Sequence, residues 1–246
     1  LKKRILLVCE NPSIYTPSNS LFELYQLIIS PFHPPISFKG DWIKAQPAIP
    51  WFYGLVFDTT KGLTHVPIAT SCELGDLSTS PWPKKDKLLS IVVSKKAYLP
   101  GQSWRIEVAN SIKNLMGNAV DIYGFGYKPI ANKRQAMDRY LYTLVIENLE
   151  HDHYWTEKLA DAFLARCMPI YSGCKNAELY FGMDLPRIPF CSDPELAALS
   201  VIRLISLGKH YNSKYIERAR NKILFGYNML YYIPRIISGG SSIIHD

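Results

Sequence analysis

The sequence predicts an α/β fold in which helices cover both faces of parallel β-sheets. Short apolar runs of strand length alternate with longer segments whose apolar residues recur every three or four positions. Each strand candidate is almost continuously apolar, which is typical of strands buried on both faces of a parallel sheet. The chain has 246 residues, of which 48% are hydrophobic. This is enough for one large core or two modest ones.

The first eighty residues have a less regular pattern than the rest. Residues 5–9 predict a strand, because the apolar run is too short for the core of a signal peptide. Residues 21–29 predict the one clear helix of this part. Residues 75–87 (GDLSTSPWPKKDK) predict a linker, since Gly, Ser, Pro and Lys leave little to bury.

The pattern becomes regular after the linker. Strands are predicted at 88–93, 119–123, 142–146 and 168–171. Ser103 and Thr156 are predicted to cap two helices, and Gly117 and Gly208 to end two. The predicted helices are 103–116, 132–140, the helix after Thr156, 195–207 following Asp193 and Pro194, and 213–225.

The C-terminal segment 227–237 has two interpretations. Tyr231, Tyr232 and Arg235 suit an amphipathic helix at a membrane surface, and the alternative is a helix that packs back on its domain. No segment reaches the roughly 18 to 20 apolar residues of a spanning helix. The five cysteines include no CxxC pair and predict reduced, structural thiols. We therefore expect a cytoplasmic location, with peripheral contact to the inner face of a membrane as a further expectation.

The net charge of +7 suits an anionic partner. Nucleotide phosphates, nucleic acid and an acidic lipid surface all fit this charge. A basic nucleic-acid-binding module is the less favoured alternative, because no sheet-face pattern interleaves aromatic and basic residues. We expect no nucleic-acid partner, since the cations lie at predicted strand ends.

Polar residues collect where the predicted parallel strands end, which is where such sheets bind ligands. Arg105 and Lys158 are predicted in the first turns of two helices, where a cation opposes the helix dipole. An anion bound at both helix N-termini would account for them. Because there is no GxGxxG and no Walker lysine loop, the pattern favours a nucleotide diphosphate held without those loops. The strand-end residues are Ser94, Gly124, Glu147, Asn148 and Ser172.

Several motifs along these strand ends occur together in one known family. They are IEN at 146–148, YWTEK at 154–158, PIYSG at 169–173, VS at 93–94 with Arg105, and VDIYG at 120–124. Near the start, ENPS at 10–13 and GDWI at 40–43 add to them. In this order and spacing the motifs resemble glycosyltransferase family 10, the α1,3-fucosyltransferases, of the bacterial type. Lys95 stands where that family has asparagine.

The resemblance implies a GT-B fold with two Rossmann-like domains. A shortened N-terminal acceptor domain would span 1–83 and a GDP-fucose-binding domain 84–246. The implied reaction is the inverting transfer of L-fucose from GDP-β-L-fucose to a hydroxyl of an oligosaccharide or glycolipid acceptor, in glycan biosynthesis or protein glycosylation. No metal or other cofactor is implied, since fixed cations and helix ends can stabilise the departing GDP. The alternative is a catalytically impaired relative that only binds a guanine nucleotide sugar.

The resemblance also implies roles for individual residues. Arg105 and Lys158 would contact the pyrophosphate. Tyr154 and Glu157 would contact the nucleoside and the ribose, and Asn148 and Ser94 would line the donor pocket. Glu10 is implied as the general base that deprotonates the acceptor hydroxyl. Without the resemblance, the sequence also allows two simpler interpretations. Glu10 would be an ordinary acid at a strand end, and Arg105 would be a solvated residue of its helix.

A metal site in EHDH at 150–153 is disfavoured. Adjacent residues in a loop rarely converge on one ion, and no distant set of partners stands out in the sequence.

Overall fold

A computed structural model describes residues 4–8, 24–46, 53–57, 67–70, 74–95, 97–98, 100–208 and 210–244. Within these ranges there are two parallel sheets and one antiparallel pair of strands. Helices are packed around the larger parallel sheet. The α/β class predicted from the sequence is therefore confirmed.

The first parallel sheet has the order β1-β2-β3, formed by Ile5–Leu7, Leu27–Ser30 and Asp41–Lys44. The strand prediction at 5–9 is confirmed for Ile5–Leu7, and Val8 lies just beyond the strand. Within its described residues, 24–29, the helix prediction at 21–29 is wrong, because Leu27–Ser30 is the buried central strand of this sheet. Periodicity cannot separate a short apolar run of a strand from one of a buried helix, and partners on both sides stabilise the strand here.

An antiparallel pair follows, β4 (Leu55–Phe57) with β5 (Pro67–Thr70). Tyr53, just before β4, packs against the second half of the chain. Its backbone N–H donates to Asp161 Oδ1 at 2.9 Å, and its hydroxyl donates to Asp138 Oδ1 at 2.5 Å. Part of the chain before residue 83 is therefore in contact with the C-terminal half, while the predicted boundary at 83 stays a prediction.

The second sheet contains β6 (Lys87–Val92), β7 (Val120–Tyr123), β8 (Tyr140–His151) and β9 (Met168–Cys174). In the described residues its order is β7-β6-β8-β9, and every neighbouring pair is parallel. The four predicted strands are confirmed. The predicted end of β8 at 146 is wrong, because the strand continues to His151 across an irregularity in its pairing with β9.

The helices of the described part surround this sheet. They are α1 (Leu74–Thr79), α2 (Pro100–Met116), α3 (Arg134–Met137), α4 (Glu157–Leu164), α5 (Glu178–Phe181), α6 (Pro194–Ser206), α7 (Ser213–Asn221) and α8 (Met229–Ile237), with a π-helical turn at Lys222–Gly226. Thr156 caps α4, as predicted, and Asp193 caps α6. The Ser103 cap is wrong, because α2 begins at Pro100, whose fixed φ suits a first helical position. The predicted helices 132–140 and 213–225 are shorter than expected, since α3 ends at Met137 and α7 changes to π-helix after Asn221.

The predicted linker at 75–87 is wrong in its first part. Residues 74–79 form α1, and Leu77 is buried. The buried guanidinium of Arg220 donates to the Leu77 carbonyl, and Arg166 donates to the Ser80 carbonyl at 3.0 Å. Glu217 accepts from both arginines, at 2.9 and 3.1 Å. Composition missed this arrangement because the partners of α1 come from much later in the chain.

The C-terminal helix α8 packs back on the domain. Tyr232 and Ile236 are buried, whereas Leu230 and Tyr231 are exposed. Among the described residues, no helix is both long enough and apolar enough to cross a bilayer. Peripheral contact of α8 with a membrane stays a prediction.

Candidate active site

The strand order changes direction between β6 and β8, and this places a crevice at their carboxyl ends. From β6 the chain crosses through α2 to β7 on one side, and from β8 it crosses through α4 to β9 on the other. Right-handed crossovers in opposite directions put α2 and α4 on opposite faces of the sheet. Ligands of open parallel sheets bind at such a switch point. Ser94 follows β6, Asn148 lies in β8, Arg105 in α2 and Lys158 in α4.

Arg105 and Asn148 join α2 to β8. Arg105 Nη1 donates to Asn148 Oδ1 at 2.8 Å. Gly101 permits the close approach of α2 to β8. A Cβ at position 101 would meet the Asn148 carbonyl oxygen, and it would lie 2.7 Å from the ring of Phe190. The prediction that Arg105 lies in a first turn is wrong, because α2 begins five residues earlier, at Pro100. The helix dipole therefore acts on Arg105 less than the sequence suggested.

Lys158 and the N-cap of α4 are attached to β8 through Glu147. The carboxylate of Glu147 is completely buried and accepts from the Thr156 N–H at 2.8 Å and from its hydroxyl at 2.7 Å. Lys158 Nζ donates to the same carboxylate at 3.3 Å and to Thr156 Oγ1 at 3.0 Å. Burial raises the pKa of Glu147, and the charge of Lys158 and the bonds from Thr156 oppose that rise. The prediction that Lys158 lies in the first turn is confirmed.

Glu157 is held as a carboxylate beside Lys158. Its Oε1 lies 3.5 Å from Lys158 Nζ. Burial by itself would raise the pKa of Glu157, but Lys158 and Lys133 outweigh it and lower the pKa to about 2. On the same helix, the buried carboxylate of Asp161 accepts from Lys133 Nζ at 2.5 Å, and burial raises its pKa. The first two turns of α4, together with Lys133 from the segment before α3, therefore form a compact group of acids and lysines.

Tyr154 is buried against Phe32, a residue just beyond the first sheet. It has 0% exposure, and its ring centroid is 5.4 Å from that of Phe32, which follows the carboxyl end of β2. Phe32 also packs on His151 at 5.0 Å. Lys44 of β3 lies 3.8 Å from the Asp152 carboxylate. Residues at the ends of β2 and β3 thus face the loop that carries Tyr154, and its contact with a nucleoside stays a prediction.

Ser94 is half-buried just beyond β6. The next residue, Lys95, donates its N–H to the Phe125 carbonyl at 3.0 Å, and its ammonium lies 5.2 Å from the centroid of Tyr127. Gly124 has a φ of +116°, and a Cβ there would meet the Val93 carbonyl oxygen. The loops after β6 and β7 are therefore packed together, and Lys95 is directed toward β7.

The histidines of the EHDH segment have separate partners. His151 Nδ1 lies 2.8 Å from the Asp152 carbonyl oxygen, and His153 Nδ1 lies 2.6 Å from the Tyr180 hydroxyl. Burial lowers the pKa of His153. Within the described ranges, no three His, Cys, Asp or Glu residues are grouped so that they could hold a metal ion.

Sequence reasoning assigned no role to two residues of this region, Glu147 and Lys133. Glu147 was named only as a strand-end residue and as part of the IEN motif at 146–148. Lys133 lies in the loop after β7, and nothing near it in sequence points to Asp161. Glu10 lies outside the described residues, so its role as base stays a prediction.

Gly173→Ala is expected to lower the free energy of unfolding by about 2 to 3 kcal/mol. Gly173 has a φ of +148°, and a Cβ there would lie 2.6 Å from Glu147 Cβ. Denaturant unfolding measures the loss. Gly182→Ala is the matched control, since its φ is +80° but nothing lies within 4 Å of a Cβ. We expect the control to lose roughly 1 kcal/mol from backbone strain; equal losses would show that contact with Glu147 is unimportant.

Comparison with known proteins gives a family match for the segment that carries these residues. Residues 82–184 match the model of the C-terminal domain of glycosyltransferase family 10 (fucosyltransferase). No curated protein matches the chain by sequence.

Solved structures share the fold. An α1,3-fucosyltransferase solved with GDP-fucose is similar at 19% identity and a TM-score of 0.51, over 92% of this chain and 77% of that one. The pneumococcal O-GlcNAc transferase GtfA, solved with UDP and GlcNAc, is similar at 11% identity and a TM-score of 0.52, over 98% and 53%. TarM is similar at 10% identity and a TM-score of 0.54, over 96% and 50%.

The family 10 match over residues 82–184 and the GT-B fold together define the class of protein, which is a glycosyltransferase of GT-B type. Within that class, the segment 82–184, which contains β6 to β9, matches the C-terminal domain of glycosyltransferase family 10. The family resemblance and the GT-B fold predicted from the sequence are confirmed.

Proposed function

We propose that the chain transfers L-fucose from GDP-β-L-fucose to a hydroxyl of an oligosaccharide or glycolipid acceptor, with inversion at the anomeric carbon. The observation that carries this proposal is the family 10 match over 82–184, the segment that contains Arg105, Asn148 and Lys158. A structure of the same fold was solved with GDP-fucose, which supports GDP-fucose as the donor.

The donor's pyrophosphate would bind between α2 and the N-terminus of α4. The free N–H groups of a helix start and its dipole favour an anion, and Lys158 has a side chain 21% exposed beside that start. Arg105 would add a charge-assisted hydrogen bond from the other face of the sheet. Negative charge grows on GDP as the glycosidic bond breaks, so fixed cations stabilise the transition state more than the bound donor. In this proposal the reaction requires no metal.

The acceptor's hydroxyl would be activated by Glu10. A carboxylate that accepts the proton during attack makes the oxygen a better nucleophile, and attack on the face opposite GDP inverts the configuration. The contact of Phe32 with Tyr154 supports an acceptor side formed by the first sheet, because it places the end of β2 over the α4 loop.

GDP and GDP-fucose are expected to bind with dissociation constants in the low-to-mid micromolar range, about 6 to 8 kcal/mol, without divalent metal. Calorimetry with and without EDTA measures this, with UDP as the matched control nucleotide. Equal affinity for UDP, or loss of binding in EDTA, would contradict the proposed donor. Donor hydrolysis across a panel of GDP- and UDP-sugars then tests turnover. GDP-fucose binding without any turnover would instead support the impaired relative.

A further inference from the structure

We propose that Glu147 is a positioning residue of the donor site, which holds the N-cap of α4 and the ammonium of Lys158 in place for the pyrophosphate. This inference rests on the proposed function, because it assigns Lys158 to the donor. Glu147 itself has 0% exposure, so it acts through Thr156 and Lys158 and not by touching the donor.

The contacts of Glu147 fix both ends of this short segment. One carboxylate oxygen accepts from the Thr156 N–H at 2.8 Å, and the other accepts from the Thr156 hydroxyl at 2.7 Å and from Lys158 Nζ at 3.3 Å. The Thr156 hydroxyl in turn accepts from the Lys158 N–H at 3.3 Å as the helix cap. A buried strand of the sheet therefore determines where the helix starts and where its first cation lies.

The packing around Glu147 leaves it little freedom. A Cβ at Gly173 of β9 would lie 2.6 Å from Glu147 Cβ, so only glycine fits beside this side chain. Because Glu147 and Thr156 hold the Lys158 side chain, it has already lost much of its rotamer freedom. Ordering such a side chain only on binding would cost about 0.5 to 1.5 kcal/mol. We infer that Glu147 reduces this cost before the donor arrives.

Charge repulsion acts in the opposite direction. A carboxylate near the pyrophosphate disfavours anion binding, and removing it would tighten binding if repulsion were the larger effect. The inference states that positioning is the larger effect, and the sign of the measured change decides between them.

The test is a double-mutant cycle on GDP affinity, measured by calorimetry. Glu147→Gln keeps the size of the side chain and removes its charge, and we expect GDP to bind about 5- to 10-fold more weakly. In the Lys158→Ala background the same substitution should cost clearly less than in the wild type, because the part of its effect that acts through Lys158 is absent. Equal losses in both backgrounds, or tighter binding by Glu147→Gln, would overturn the inference.

Asp161→Asn is the matched control. Asp161 is also a completely buried carboxylate of this region, on α4 itself, where it binds Lys133 and the Tyr53 N–H. We expect this variant to lose thermal stability. Its GDP affinity should stay within about 2-fold of the wild type, which corresponds to about 0.4 kcal/mol at most. A loss of affinity equal to that of Glu147→Gln would mean that general loosening of α4 is the cause, which would overturn the inference.

A second pair of variants covers the case in which Glu147→Gln does not fold. Thr156→Val removes the hydroxyl that links Glu147 to Lys158, and Thr156→Ser keeps it. Weak GDP binding by the valine variant, restored by serine, supports the inference, and equal affinities contradict it. If the wild type binds no GDP, the proposed function fails; if it binds GDP and the cycle is additive, only the role of Glu147 fails.

Discussion

Alanine at Lys158 or at Arg105 is expected to cost about 2 to 4 kcal/mol of transition-state stabilisation, a loss of roughly 30- to 900-fold in kcat/KM. The physical reason is that both cations would face the diphosphate, whose negative charge increases as the sugar departs. Rates are measured as GDP release with a working acceptor. Thermal unfolding shows whether each variant remains folded.

Lys113→Ala is the matched control for both variants. It also removes one positive charge, but from the C-terminal end of α2, where Lys113 donates to the carbonyls of Gly117 and Val120 at 2.9 Å each. We expect near-normal turnover from this control. Near-normal turnover by Lys158→Ala or Arg105→Ala would show that the residue in question does not contact the diphosphate.

Glu10→Gln is expected to reduce fucosyl transfer by about 100-fold or more, while GDP-fucose affinity remains almost unchanged. Glutamine keeps the shape of the side chain and cannot accept the proton of the acceptor hydroxyl. Binding of the donor does not involve that proton, so the two measurements separate a base from a donor contact. Transfer is measured as a rate and donor affinity by calorimetry, both on the same preparation.

The control for Glu10 is Glu107→Gln, at an exposed acid of α2. It should leave both transfer and affinity unchanged. Transfer at the wild-type rate by Glu10→Gln would end the assignment of the base. A parallel loss of GDP-fucose affinity would instead make Glu10 a donor contact.

Local signals in the sequence were sufficient for the second sheet and for much of its site. Each of β6 to β9 is an apolar run that needs no distant partner to be recognised, and Thr156 and Asp193 cap helices through bonds to residues two or three positions away. Asn148, Arg105 and Lys158 could be predicted at one edge of the sheet because parallel strands all end on the same side.

Tertiary contacts decided the remaining features, because their partners are far apart in the chain. Residues 27–30 are a strand because β1 and β3 lie on either side of them, and a short apolar run cannot show this alone. Likewise, α1 is fixed by Arg166 and Arg220, which no pattern near α1 indicates.

The same limit applies within the site. The strand end carrying Glu147 could be predicted, but its role depends on its burial, on Gly173 of the neighbouring strand and on the N-cap of α4. Tyr154 was predicted from a motif, whereas its position beneath Phe32 depends on how the first sheet packs against the α4 loop. The sequence by itself thus determined which residues lie at the sheet edge, and the tertiary structure alone decided which of them are covered and paired, since burial is a property of the assembled chain.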